Sequence, residues 1–202
     1  MRARNFCILL LGLFQSVFAQ NRPGEVYLRD WMTPDSLYRA APEFQPIPGM
    51  YQPADNALQL LRLYDEPLTV LIFFGNWCSD SKREVPRFYT TLDLAGNKNF
   101  TAQLIGLDRT MRDAAGLAEA FKITHVPTFI FLRGVEDFSA SDISLPALTQ
   151  SELGRITETP AISIEQDWVR ILKNNSTWAG KMELVRQFSL LSIALAYFST
   201  SL

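Results

Sequence analysis

The chain is poor in the residues that bind metals and staple folds: 202 residues include two cysteines and one histidine. Cys7 lies in an N-terminal segment read below as removed, which leaves Cys78 and His125. One cysteine and one histidine do not furnish a Cys/His zinc site, so no metal is expected. A lone cysteine also cannot close an internal disulfide. Neither sign of charge is in real excess. Nineteen Lys and Arg stand against 21 Asp and Glu, a formal net charge of −2, which gives no basic footprint for nucleic acid. Long apolar runs are missing as well. Phe6 to Phe14 and Phe188 to Phe198 are the clean stretches, both well below the ~20 residues a membrane-spanning helix needs. What is present is a globular composition, 48% hydrophobic and 20% charged. It suits one cored domain with trimmings.

Residues 1–19 read as a signal peptide. Met1-Arg2-Ala3-Arg4 supplies positive charge, Phe6 to Phe14 the apolar core, and Val17-Phe18-Ala19 the small residues before a cut at Gln20. Export places the mature chain in an oxidising compartment. There an odd cysteine suggests intermolecular pairing or a free reactive thiol.

Residues 20–53 carry six prolines and read as an irregular N-terminal extension with one short helix over Asp35 to Ala40. Ala54 to Tyr64 has helical spacing, with Leu58 and Leu61 facing inward and Leu60 a further candidate for that face. Leu68 to Phe74 is a continuous apolar run rich in β-branched and aromatic residues, the pattern of a strand buried on both faces. A helix over Cys78 to Leu92 follows, with Pro86 inside it. Ala102 to Asp108 is expected as a second central strand, Ala114 to Phe121 as a short helix, and Thr128 to Leu132 as a third strand. Residues 134–151 read as a polar insertion. Glu152 to Thr157 reads as a strand antiparallel to the third, and Ser163 to Leu172 as a helix with a capping box of Ser163 and Gln166. Residues 176–202 form an apolar C-terminal extension. Met182 to Phe198 is expected either as an added helix packed on the domain or as a patch for a protein partner.

This order of elements argues for an α/β sandwich, a central mixed β-sheet flanked by helices. A right-handed first crossover puts Cys78 at the carboxyl edge of its strand, where open α/β sheets keep their sites.

The chemistry concentrates in Gly75-Asn76-Trp77-Cys78-Ser79-Asp80-Ser81-Lys82. A thiolate is the nucleophile, and a helix N-terminus favours an anion through its unpaired N–H groups and dipole. Lys82 and Arg83 lie a turn away and add positive charge, while Asp80 opposes it. Ser81 is placed to donate a hydrogen bond to the thiolate. Asp80 and Ser81 are equally suited to be plain first-turn helix residues. A free cysteine is often a small buried hydrophobe, but a Trp-Cys pair at a strand–helix junction favours the nucleophile. Trp77 is expected as a partly exposed ring shielding the sulfur. His125 reads as a surface-loop histidine ahead of a general base.

From Leu68 to Lys173 the chain resembles the thioredoxin superfamily, and residues 54–175 are read as the domain. The resemblance rests on the strand ending in Trp77-Cys78, the helix with Pro86, Val126-Pro127-Thr128 before an apolar strand, and the closing strand and helix of residues 152–173. More narrowly, residues 75–88 look like a secreted bacterial branch of thioredoxin-like proteins, which implies the periplasm across the inner membrane. The resemblance implies a cis peptide at Pro127, and a Val126 whose N–H and C=O pair with substrate beside the sulfur. There are two departures. Ser81 stands at the position of the resolving cysteine, and Ile72 at the position of a buried proton-relaying acid. The implied activity is monothiol thiol–disulfide exchange by Cys78 on a protein disulfide or a small thiol, released by an external thiol and needing no cofactor. The alternative is a redox-inactive module that binds peptides in the same groove.

Overall fold

The computed structural model describes residues 26–134, 144–174, 178 and 180. The expected signal peptide, residues 135–143 of the insertion, and the apolar stretch Met182 to Phe198 lie outside the described residues.

The described chain is an α/β sandwich. Its elements run β1 (Asp30–Met32), α1 (Pro34–Ala40), a 3-10 turn (Pro42–Phe44), α2 (Asp55–Arg62), β2 (Leu68–Phe74), α3 (Ser79–Ala95) and β3 (Phe100–Gly106). They continue with α4 (Leu117–Ala120), β4 (Thr128–Arg133), α5 (Leu145–Gln150), β5 (Glu152–Thr157) and α6 (Ile164–Lys173). The five strands form one mixed sheet in the order β1-β3-β2-β4-β5. β2 and β3 are parallel, with Leu68 opposite Phe100 and Phe74 opposite Gly106. The outer pairings β1–β3 and β4–β5, and the central β2–β4, are antiparallel.

All seven residues of β2 are buried. Strand side chains alternate faces, and β2 divides accordingly. Leu68, Val70, Ile72 and Phe74 join the core under α1, α2, α3 and α6. Leu71 and Phe73 join a smaller core with residues of α4 and α5. The larger core is aromatic: Trp168 stacks on Phe88 with centroids 5.1 Å apart and also meets Phe100 and Phe131.

Five expectations need correction. Residues 20–53 are not simply an irregular extension, because Asp30–Met32 adds an edge strand to β3 and both Leu37 and Phe44 are fully buried. β3 starts two residues earlier than expected, since Phe100 and Thr101 pair with Leu68 and Thr69. α4 is shorter, because the Asp113 carboxylate takes the N–H groups of Ala115, Leu117 and Ala118 and Gly116 turns left-handed at φ 74°. The region 134–151 contains a helix, α5. The Ser163 side chain makes no cap bond and donates instead to Glu165 Oε1 at 2.6 Å. The C-terminal extension also enters the core at its start: Trp178 is buried against Tyr64 with centroids 5.5 Å apart.

Candidate functional site

β2 leads straight into the site. After Phe74 the chain turns through Gly75–Trp77, and Cys78 takes the extended N-cap conformation of α3 at φ −93°, ψ 126°. Its N–H donates to the Gly75 carbonyl at 3.0 Å, and its own carbonyl accepts the first intrahelical bond, from Lys82, at 3.1 Å. The amides of Ser79, Asp80 and Ser81 therefore precede the hydrogen-bonded helix, as helix starts require. Gly75 leaves room for Trp77: an added Cβ would fall 2.7 Å from the indole. The ring is half-buried, donates from Nε1 to the Leu107 carbonyl at 3.0 Å, and carries the Arg109 guanidinium 4.4 Å above its centroid.

The second wall comes from a distant stretch of chain. The Val126–Pro127 peptide is cis, and Val126 is buried. Cys78 Sγ donates to the Val126 carbonyl at 3.0 Å across 48 residues of sequence. Cys78, Trp77, Val126 and Pro127 are thus brought together. The Cys78 S–H···O=C bond joins the start of α3 to the loop that carries the cis peptide.

The remaining expected residues behave differently. Ser81 is fully buried, and its hydroxyl oxygen accepts from the Gly75 N–H at 3.2 Å rather than serving the sulfur. Lys82 is turned to Glu43 at 3.2 Å. Arg83 bonds Asp80 at 2.7 Å, Glu84 at 2.6 Å and the Thr159 hydroxyl at 3.0 Å. The two cations expected to support a thiolate are therefore held by carboxylates, and the Asp80 charge is itself neutralised. Glu43 is held below the usual carboxylate range, first by its own backbone N–H and then by Lys82, against a push upward from burial. His125 is exposed and meets the Thr124 hydroxyl at 2.9 Å, as a surface-loop residue would.

Three features were not foreseen. Asn76 ties the site loop to residues 26–28. The loop after β3 supplies both Leu107 and Arg109 to Trp77. A cleft of about 260 Å³ runs along α3, lined by Glu43, Met50, Tyr51, Lys82, Pro86 and Arg87 among others. Tyr51 closes its far side, donating to Glu165 Oε2 at 2.5 Å beneath Arg87. Burial, then the Glu165 carboxylate, push the Tyr51 hydroxyl pKa upward. None of these links has a local spacing signal, and two of them run to the proline-rich residues 20–53. Among the described residues no group of three His, Cys, Asp or Glu is placed to hold a metal, and no helix is long and apolar enough to cross a membrane.

No family model matches this chain, and no curated protein matches it. Among solved structures it is similar to a protein of unknown function from Pseudomonas aeruginosa, 14% identical, with a TM-score of 0.40 over 61% of this chain and 68% of that one. A likeness at that level carries no argument about function.

Proposed function

We propose that this chain is a thioredoxin-like protein of the monothiol kind, exported by residues 1–19 to the periplasm, whose Cys78 carries out thiol–disulfide exchange. The observation that carries the reading is the placement of the Cys78 sulfur at the N-terminus of α3 and beside the cis Val126–Pro127 peptide. The Cys78 thiolate attacks one sulfur of a substrate disulfide, R–S–S–R′. A Cys78–S–S–R bond forms as the substrate S–S bond breaks, and R′S⁻ leaves with the electron pair. An external thiolate then attacks the mixed disulfide and returns Cys78 to the thiolate. Electrons balance across the two exchanges, and no second cysteine of this chain takes part.

The test is the rate of exchange of the mature protein with a chromogenic aromatic disulfide at neutral pH, beside a free-cysteine peptide and a Cys78→Ser blank. A rate about tenfold or more above the peptide is expected from an activated thiolate. A rate at or below the peptide overturns the reading.

A second reading is favoured by the cleft beside α3. Its apolar walls, Ile47, Met50, Tyr51 and Pro86, lie along α3 apart from the Val126–Pro127 loop and suit an extended peptide held without redox chemistry. Peptide binding that survives Cys78→Ser unchanged would support that module over the exchange protein.

A further inference from the structure

Asn76 precedes the Trp-Cys pair, and its side chain is committed at both ends. Nδ2 donates to the Val26 carbonyl at 2.8 Å, and Oδ1 accepts the Leu28 N–H at 3.2 Å. The two partners are a carbonyl and an N–H two residues apart, so the one amide holds the backbone at both. It continues the β1–β3 ladder, which runs from Met32 opposite Leu104 to Asp30 opposite Gly106. Gly106 permits this continuation, because a Cβ there would overlap the Leu28 carbonyl.

The same segment is tied on its other side. Arg29 pairs with the buried Asp108. Asp108 also accepts the N–H and hydroxyl of Thr110 at 2.7 and 2.5 Å, and Asp30 accepts the Ala114 N–H at 2.7 Å. Residues 26–30 thus bridge the loop 75–77 and the loop 107–114. Those are the two loops that hold Trp77, with Gly75 against the indole, Leu107 on Nε1 and Arg109 over the face. Cys78 is the next residue.

We infer that Asn76 is a positioning residue for Cys78, and that the segment it clamps, residues 26–28, is a brace that keeps the sulfur at the start of α3. The inference rests on the exchange reading given above. With the clamp cut, the loop is free to carry the sulfur away from the unpaired amides of the helix end. The sulfur then loses its fixed place beside the Val126 carbonyl, and exchange slows.

The experiment compares the full mature chain with Asn76→Ala, with Leu28→Pro, which deletes the donated N–H, and with Leu28→Ala, which removes only side-chain packing. Exchange with the aromatic disulfide is followed from neutral to alkaline pH. The Trp77 indole N–H resonance, assigned by its loss in Trp77→Phe, is followed beside it. Asn76→Ala and Leu28→Pro are expected to slow exchange about 2–5-fold at neutral pH, the size of a helix-terminus effect on charge, with rates converging in alkali. Both should shift the Trp77 resonance, and Leu28→Ala should stay close to the parent in each readout. An active parent whose rate and pH profile are unchanged by Asn76→Ala and Leu28→Pro overturns the brace. A parent no faster than the free peptide overturns the exchange reading instead. The brace is then judged by the iodoacetamide rate at Cys78 and by the Trp77 resonance, and it falls if Asn76→Ala moves neither.

Discussion

One face of the sheet is covered by α1, α2, α3 and α6 and filled with rings, among them Phe44, Tyr64, Phe74, Phe88, Phe129, Phe131 and Trp168. The other face lies under the short helices α4 and α5 and is filled mainly with branched aliphatics, with Phe73 and Phe121 the rings among its buried residues. Trp77, Cys78 and Met111 pack at the edge of this second cluster. The larger core buries more apolar area and supplies more of the hydrophobic stabilisation. The smaller one ends at loops joined by side-chain bonds, where Cys78, the proposed nucleophile, stands. The larger core and the proposed site thus sit on opposite faces, joined through α3, which begins after Cys78 and packs Phe88 into the aromatic core.

Trp168→Ala should have the largest effect. The ring is fully buried between Phe88, Phe100 and Phe131, and its loss should cost about 3–5 kcal/mol in denaturant unfolding. If the two faces are separable, the exchange rate of the folded fraction stays near the parent value; a parallel fall would break the comparison.

Glu165→Gln comes next. The Glu165 carboxylate is buried, which alone would raise its pKa, but bonds from Ser163, Tyr51 and the Ala54 N–H outweigh this and hold it below the usual range. A folded-state pKa below the unfolded one contributes stability above the unfolded value and loses it as pH falls through the folded value. The variant should therefore lose about 1.5–3 kcal/mol at neutral pH and show a flatter acid limb in thermal melts between neutral pH and the carboxylate range. A limb as steep as the parent's would remove Glu165 as its source.

Ser81→Ala tests the boundary between the faces. It strands the buried Gly75 N–H, at a cost of about 1–3 kcal/mol, and because the hydroxyl serves Gly75 rather than the sulfur, alkylation of Cys78 should hardly change. A large drop in alkylation with little loss of stability would return Ser81 to the reactive side. Lys82→Gln should do least. Its ammonium is engaged with Glu43 in an exposed pair, so the exchange rate should stay within about twofold and stability within about 1 kcal/mol. A tenfold slowing would show the cation acting on the sulfur after all.

β2 was legible because a fully buried strand leaves a continuous apolar run, and Leu68–Phe74 was bounded to the residue, whereas the half-exposed β3 was placed two residues late. β5 and α6 were legible for similar reasons of pattern. β1 was not. Its three residues include Asp30 at φ 63°, and so short an edge strand has no room for a period. Trp77, Cys78, Val126 and Pro127 were marked in the sequence, and the structure places them together. The partners of Ser81, Lys82 and Asn76 were hidden. Ser81's is a backbone N–H, which sequence does not mark, and Glu43, Val26 and Leu28 lie about forty to fifty positions away with no spacing rule linking them. Helix position alone suggested that Lys82 faces the sulfur; a carboxylate from the proline-rich stretch competed for it.

The burial of Ser81 has a kinetic consequence. In a two-cysteine site an adduct departs by a first-order step, at a pace the protein itself sets. Here the third position after Cys78 holds a hydroxyl already bonded to Gly75, so in the proposed exchange a mixed disulfide on the sulfur would decay by collision with another molecule's thiol. Its lifetime scales inversely with the concentration of that thiol. The mixed disulfide of the unmutated chain is then its own trap, and dilution of the reductant alone should display the partner.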